Sequence, residues 1–164
     1  MLISVKNKHT LKVDEFKFKC CIGKKGLTNN KKEGDKKTPK GTFEIEHLYF
    51  RKDRKKKPKT LLKCIEIKKD MGWCNDSKFL KKYNKLLKIE KKIKHEKLKR
   101  KDYKYDLLIP IKYNFKKPVA GRGSCIFIHL TKDYKPTAGC IALKEKDFLI
   151  MIKLIKRKSK IKIF

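Results

Sequence analysis

Two short apolar runs most strongly constrain what this chain can fold into. Residues 105–114, YDLLIPIKYN, and residues 124–130, SCIFIHL, are dense in β-branched and aromatic side chains. Such runs are typical of strands at the centre of a sheet. A third segment, residues 16–20, alternates apolar residues with lysine, which is the period of a half-buried strand. The sequence therefore predicts a domain built on a β-sheet.

The N-terminal half contains further strand patterns. Residues 2–5 and 10–13 are predicted to form a hairpin, and residues 41–50 and 60–67 are predicted to be strands. Residues 23–40 are rich in Gly, Asn, Asp and Pro, which is typical of a long ordered loop. The chain shows no internal repeat and no clear linker between domains.

Helices are predicted only in the second half of the chain. The lysine-rich residues 78–99 carry Leu and Ile at mixed spacing, and we expect one or two short helices there. Residues 144–157 are predicted to form a helix packed on the sheet, because three apolar side chains follow helical spacing: Phe148, Ile152 and Ile155. Residues 160–164 are predicted to form a last strand. The predicted fold class is mainly β with a few helices, a β-rich α+β domain spanning residues 1–164.

The net charge of +32 restricts the partners that this chain can have. Such a charge favours nucleic acid, an anionic membrane or an acidic cell-wall polymer. Only five of the 49 basic residues are arginine, whereas proteins that read nucleic acid rely on arginine for bidentate contacts. The lysines accompany many Ile, Asn, Phe and Tyr residues, a pattern typical of codon bias in an AT-rich genome. We therefore expect no specific nucleic-acid partner.

Neither the N-terminal residues nor the apolar runs predict a membrane segment. The first residues, MLISVKNKHTLKVDEF, lack the long apolar run of a secretory signal peptide. No segment approaches the roughly 20 apolar residues of a membrane-spanning helix. We expect no membrane span, and the sequence leaves the compartment and the oligomeric state open.

The six cysteines do not follow the spacing of a metal site. None forms a CxxC pair, and Cys20 and Cys21 are adjacent, so their side chains would point to opposite faces of a strand. We therefore predict no metal site. Most of the cysteines are interpreted as small, buried, apolar residues of a reduced protein.

Residues 128–143, IHLTKDYKPTAGCIAL, contain the two side chains best suited to chemistry. A free thiol has a pKa near ~8.5 and reacts slowly at neutral pH unless a base such as His129 removes its proton. Gly139 permits a tight bend before Cys140, and the amides around Ala138 would then face a carbonyl oxygen as it gains charge. A buried histidine and a structural cysteine are the alternative interpretation of the same residues.

With its flanking residues, this stretch resembles the signature of the L,D-transpeptidase catalytic domain, the YkuD-type family of peptidoglycan enzymes. In that family a strand ends in a histidine and a Ser/Thr-x-Gly-Cys turn follows, and His129 and residues 137–140, TAGC, occupy those places. Residues 31–45, KKEGDKKTPKGTFEI, resemble the upstream element with its Thr-Pro-x-Gly-x-Phe pattern. Residues 70–84 and 98–114 resemble intervening segments of one branch of the family.

The resemblance implies a sandwich-like catalytic domain in which Cys140 is the nucleophile and His129 is its base. The turn residues Thr137, Ala138 and Gly139 would support the oxyanion. The implied reaction is acyl transfer on peptidoglycan stem peptides through a cysteine thioester, with no cofactor and no metal. An L,D-carboxypeptidase reaction at the same site is one alternative. A non-catalytic basic module that binds nucleic acid or an anionic surface polymer is another. The family normally acts in the periplasm or cell envelope, in cell-wall biogenesis and cell shape.

Three further residues are candidates for substrate binding, each with a plainer interpretation beside it. Arg122 would meet a substrate carboxylate, or would be a solvated loop residue. Ser124 would hydrogen-bond near the histidine, or would begin the strand. Trp73 would line a groove, or would pack in the core. Two departures from the common family pattern, Ala138 in the turn and Ala142 after the cysteine, leave the substrate preference open.

Overall fold

A computed structural model describes residues 2–164 of the chain. Within these residues the chain forms fifteen strands and one α-helix. In chain order they are β1 (Leu2–Val5), β2 (Thr10–Val13), β3 (Phe16–Cys21), β4 (Leu27–Thr28), β5 (Thr38–Pro39), β6 (Gly41–Glu44), β7 (Leu48–Phe50), β8 (Cys64–Glu66), β9 (Met71–Cys74), β10 (Leu86–Lys88), β11 (His95–Lys97), β12 (Leu107–Pro110), β13 (Phe127–Leu130), β14 (Ile141–Leu143), α1 (Glu145–Leu154) and β15 (Lys160–Ile163).

Ten strands form one mixed sheet in the order β6, β15, β1, β2, β3, β14, β13, β12, β7, β8. The pairs β1–β15, β13–β14 and β7–β8 are parallel, and the other neighbours are antiparallel. The predicted hairpin β1–β2 and the predicted strand β3 are confirmed. The predicted last strand, β15, lies between β1 and β6, so both ends of the chain join the same sheet.

The two apolar runs predicted to be central strands are β12 and β13, and every residue of both is buried. Strand β14, on the other side of β13, is also buried along its whole length. Helix α1 follows it and buries Phe148, Met151 and Ile152. Acidic residues in its first turn and Lys153 in its last turn match the direction of the helix dipole. The prediction of a mainly β fold with a packed helix is confirmed.

The helices predicted for residues 78–99 are wrong. The segment forms turns and the strands β10 and β11, which flank β9 in a three-stranded antiparallel sheet. Its buried apolar residues Tyr83, Leu87, Ile93 and Leu98 are four, six and five positions apart, and only the first of these intervals fits one face of a helix. The backbone of the segment pairs instead with β9, a strand that the sequence pattern did not reveal.

Two other segments differ in detail from the sequence prediction. Residues 41–50 form two strands, because β6 pairs with β15 whereas β7 pairs with β12 and β8. The predicted loop at residues 23–40 contains the short parallel pair β4–β5. Helix α1 has ten residues, and no helix in the described part of the chain is long and apolar enough to cross a bilayer.

Candidate active site

The pairing of β13 with β14 brings His129 and Cys140 together. The two strands are parallel, and His129 lies opposite Ala142. Cys140 precedes Ala142 by two positions, so its side chain points to the same face of the sheet as His129. At a strand spacing of ~4.8 Å, such a diagonal neighbour is within reach of an imidazole ring. Both side chains line one cavity of about 580 Å³.

The ring of His129 is held in one tautomer. Its Nδ1 lies 2.9 Å from the carbonyl oxygen of Leu130, and Nδ1 carries the proton because a carbonyl oxygen can only accept. Nε2 is therefore the basic nitrogen. The ring of Tyr105 packs edge-on against the imidazole, with ring centroids 5.4 Å apart. A backbone carbonyl thus orients the imidazole ring, as an acidic residue orients the histidine of a Ser-His-Asp triad.

The thiol of Cys140 forms hydrogen bonds with main-chain groups and not with His129. Its Sγ donates to the carbonyl oxygen of Cys125 at 3.2 Å, and the N–H of Phe127 donates to Sγ at 3.4 Å. Within residues 2–164, no hydrogen bond joins this sulfur to His129.

Burial sets the charge state of both side chains. It raises the pKa of Cys140 to about 12 and lowers the pKa of His129 to about 4, because removing either group from water penalises its charged form. The cations Lys31 and Arg100 lower the pKa of Cys140, but their effect is smaller than that of burial. The resting pair is therefore a neutral thiol beside a neutral imidazole.

The turn that presents Cys140 depends on Gly139. Its φ is +144°, and a Cβ atom there would lie 2.9 Å from the carbonyl oxygen of Lys37, so a side chain would be both strained and crowded. Thr137 Oγ1 accepts from the N–H of Gly139 at 3.1 Å and donates to the carbonyl of Cys140 at 2.6 Å. Within the described residues, the amides of Ala138 and Cys140 have no such acceptor. They are the donors available to an oxyanion.

Thr38 joins this turn to the upstream loop. The side chain is fully buried, and its Oγ1 donates to the carbonyl of Gly139 at 2.8 Å and accepts from the N–H of Gly23 at 2.9 Å. In the sequence, Thr38 and Pro39 begin the Thr-Pro-x-Gly-x-Phe pattern of the upstream element. The hydrogen bond to a residue 101 positions away was not visible in the pattern. The Thr-Pro element therefore holds the cysteine turn against the end of β3.

Asn84 fixes the backbone of Cys125, whose carbonyl accepts the hydrogen bond from the Cys140 thiol. Its Oδ1 accepts from the N–H of Cys125 at 3.1 Å and from Nε1 of Trp73 at 3.0 Å. Its Nδ2 donates to the carbonyls of Tyr113 and Asn114. Cys125 has a φ of +55°, which is uncommon for a residue other than glycine, and the bond to Asn84 secures it. Trp73 is buried and lies outside the cavity lining, so it packs in the core and donates to Asn84.

The other two substrate-binding candidates occupy different places. Ser124 lines the cavity, and its Oγ donates to the carboxylate of Glu33 at 2.8 Å. Arg122 is exposed and lies outside the cavity lining. Further lining residues had not been singled out from the sequence: Lys31, Glu96, Arg100, Lys104 and Tyr105.

All of these lining residues except Glu96 belong to segments that resemble the family, but the sequence pattern assigns no role to their individual side chains. No group of three His, Cys, Asp or Glu side chains in the described part of the chain is arranged to hold a metal ion. The cavity is therefore built from an imidazole, a thiol, main-chain donors and a set of charged side chains.

Comparisons with known proteins identify a family and similar folds. The YkuD family model, the L,D-transpeptidase catalytic domain, matches residues 2–163. The structure is similar to that of the helical cell shape determining protein Pgp2 from Campylobacter jejuni, with a TM-score of 0.51 and 18% identity over 99% of this chain and 46% of that chain. Bd1075 from Bdellovibrio bacteriovorus gives a TM-score of 0.48 and 15% identity over 99% of this chain and 47% of that chain. This chain thus spans about half the length of either protein. No curated protein matches it.

Replacing Thr38 by valine tests the link between the loop and the cysteine turn. Thr38→Val removes one hydroxyl and leaves the buried Gly23 N–H and the Gly139 carbonyl without that partner. We expect the free energy of unfolding in urea to fall by about 1–3 kcal/mol. The exposed Thr42 provides the control, because Thr42→Val keeps all described contacts of the site. Equal stability of the two variants would contradict the role given to Thr38.

The depressed pKa of His129 predicts a loss of stability in acid. Between about pH 6.5 and 4 the unfolded chain binds a proton at this residue and the folded chain does not, so unfolding becomes easier as the pH falls. The full loss over this window is about 3 kcal/mol. Urea unfolding at several pH values should show it in the wild-type protein and show a smaller loss in His129→Gln. His9→Gln, at an exposed histidine, should behave as wild type; an unchanged acid slope in His129→Gln would disprove the assignment.

Proposed function

The chain belongs to the YkuD family of L,D-transpeptidase catalytic domains, and on that basis we propose that it is a cysteine acyltransferase that acts on peptidoglycan stem peptides. The observation that carries the proposal is that His129 on β13 and Cys140, directly before the parallel neighbour β14, line one cavity. The tautomer of His129 adds support, because the bond from Nδ1 to Leu130 leaves Nε2 as the base.

The first half of the proposed reaction acylates the enzyme. Sγ of Cys140 attacks the carbonyl carbon of the third stem residue, a diamino acid, while its proton passes to Nε2 of His129. The amides of Ala138 and Cys140 stabilise the negative oxygen of the tetrahedral intermediate. The C–N bond to the terminal D-residue then breaks, and the proton on Nε2 passes to the leaving amine. A thioester on Cys140 is left.

The second half resolves the thioester. The amine of a second stem attacks the thioester carbonyl and gives up a proton to Nε2, and that proton returns to Sγ as the C–S bond breaks. The product is a cross-linked peptide. If water attacks in place of the amine, the same steps give the carboxypeptidase product, so the two alternatives differ only in which nucleophile reaches the thioester.

The neutral resting state determines how the thiol reacts. A thiolate beside an imidazolium would be poorly solvated in this buried site, as the pKa values of Cys140 and His129 indicate. We therefore propose that proton transfer accompanies attack on the carbonyl and does not precede substrate binding. This keeps the thiol unreactive toward other electrophiles until a peptide fills the cavity.

Substitution of Cys140 tests the proposed function directly. The wild-type protein, mixed with a disaccharide-tetrapeptide, should release the terminal D-residue and carry a transient adduct on Cys140, both measured by mass spectrometry. Cys140→Ala should abolish both, because no other group supplies the nucleophile. Cys64→Ala, at a half-buried cysteine outside the cavity, should retain both. The masses of the released products distinguish cross-linking from hydrolysis.

Two results would reject the acyltransferase. One is an adduct on a different cysteine. The other is the absence of any adduct while Cys140 is shown to be a free thiol. Salt-sensitive binding to nucleic acid that is unaffected by Cys140→Ala would favour the non-catalytic basic module instead.

The pH dependence of the reaction follows from the two pKa values. His129 is already a neutral base above its pKa of about 4, and Cys140 is still a thiol below its pKa of about 12. We expect kcat/KM to be nearly flat between about pH 5 and 9 and to fall only toward the pKa of His129 in acid. An ionisation of the free enzyme between about pH 6 and 8 in this profile would indicate an ion pair instead.

A further inference from the structure

Two charged side chains of the cavity have no charged partner. Seven lining residues carry charged side chains, and five of these form ion pairs. Arg100 pairs with Glu96 and Lys135 with Asp133, while Lys31 pairs with Asp35, which lies outside the lining. Within residues 2–164, Glu33 and Lys104 form no ion pair within 4.0 Å. In a chain of net charge +32, an acidic side chain without a lysine or arginine partner is the more unusual of the two.

The carboxylate of Glu33 is held in place by neutral donors. Its Oε2 accepts from the phenol of Tyr83 at 2.8 Å and from Oγ of Ser124 at 2.8 Å. Both of these donors are buried residues, and burial raises the pKa of Tyr83, so the phenol keeps its proton. The N–H of Glu33 donates to the carbonyl of Gly121 at 2.8 Å. Hydroxyl groups fix the carboxylate but do not neutralise it, and its second oxygen has no donor among the described residues.

Lys104 is a turn residue that lies beside the C-terminal end of β13. Its carbonyl accepts from the N–H of Leu130 at 3.0 Å, next to His129, and its charge is felt at the imidazole. Ser124, which holds Glu33, precedes β13 at the opposite end. The sulfur of Cys140 contacts Phe127, between these two ends. The cavity therefore has an unpaired carboxylate at one end, a thiol in the middle, and an unpaired ammonium group at the end beside the imidazole.

We propose that this charge arrangement fixes the direction in which a peptide binds, with Glu33 pairing with a substrate ammonium group and Lys104 pairing with the terminal carboxylate. The inference rests on the proposed acyl transfer at Cys140. His129 protonates the leaving amine, so the leaving residue and its carboxylate lie on the side of Lys104. The residue that is attacked then extends toward Glu33, where a side-chain amine meets the carboxylate. The substrate class is a peptide with a free side-chain amine at the attacked residue and a free C-terminal carboxylate.

Binding to the Cys140→Ala protein tests this without turnover. Three peptides are compared by calorimetry: the tetrapeptide stem with a diamino acid at its third position, the same peptide with the side-chain amine acetylated, and the same peptide with a C-terminal amide. We expect acetylation to weaken binding about tenfold. Glu33→Gln should weaken binding of the free-amine peptide by the same factor and leave the acetylated peptide unaffected. Lys104→Gln should weaken binding of the peptide with a free C-terminal carboxylate and leave binding of the C-terminal amide unaffected.

Matched variants separate the local effect from the change in net charge. Glu15→Gln and Lys17→Gln remove the same charges at exposed residues outside the cavity, and neither should distinguish the three peptides. The proposal is overturned if Glu33→Gln weakens the free-amine and acetylated peptides equally, if Glu15→Gln has the same effect as Glu33→Gln, or if no peptide binds.

Turnover by the wild-type protein is scored separately. The expected binding pattern without acylation of Cys140 would support the charged ends and reject the acyltransferase. Acylation of Cys140 without the binding pattern would reject the charged ends and leave the acyltransferase standing. Failure of the one proposal is therefore distinguishable from failure of the other.

Discussion

The parallel pairing of β13 with β14 is the constraint on which the rest of the site depends. It places His129 opposite Ala142 and so directs Cys140, two positions earlier, into the same cavity. A register shift of one residue would turn Cys140 to the opposite face, because side chains alternate along a strand. Both strands are buried at every residue and lie between β3 and β12. The apolar core therefore fixes the register, and the side chains of His129 and Cys140 need not contribute to it.

Buried polar side chains from distant segments then fix parts of the backbone around Cys140 that strand pairing alone does not fix. Thr38 ties the Gly139 turn to the end of β3, and Asn84 secures the strained backbone of Cys125, which accepts the thiol. Each anchor has its hydrogen bonds satisfied, and leaving such a group unpaired in the core would be costly. The sulfur of Cys140 is thus placed between two anchored stretches of backbone.

How far the sequence could predict the structure depended on whether a feature was local. Central strands were predictable because their apolar runs are rich in β-branched and aromatic side chains. Likeness to a family directed attention to His129 and Cys140. The three-stranded sheet was not predictable, because β9, β10 and β11 have only three or four residues each and depend on one another. The residues 78–99 carry no periodicity of their own. For Trp73, the sequence allowed a place in a substrate groove or in the core. The hydrogen-bond acceptor that holds it in the core is Asn84, in a turn eleven residues away.

The state of the thiol shows that local burial outweighs the charge of the whole chain. A net charge of +32 would favour a thiolate, and Lys31 and Arg100 do lower the pKa of Cys140. Burial is nonetheless the largest influence and raises that pKa to about 12. Because water and salt screen exposed charges beyond ~10 Å, the exposed lysines of the chain have little influence on the ionisation of Cys140. The chemistry of the cavity is therefore set by the residues that exclude water from Cys140 and His129, and we expect the same neutral pair in a chain of the same fold with far fewer lysines.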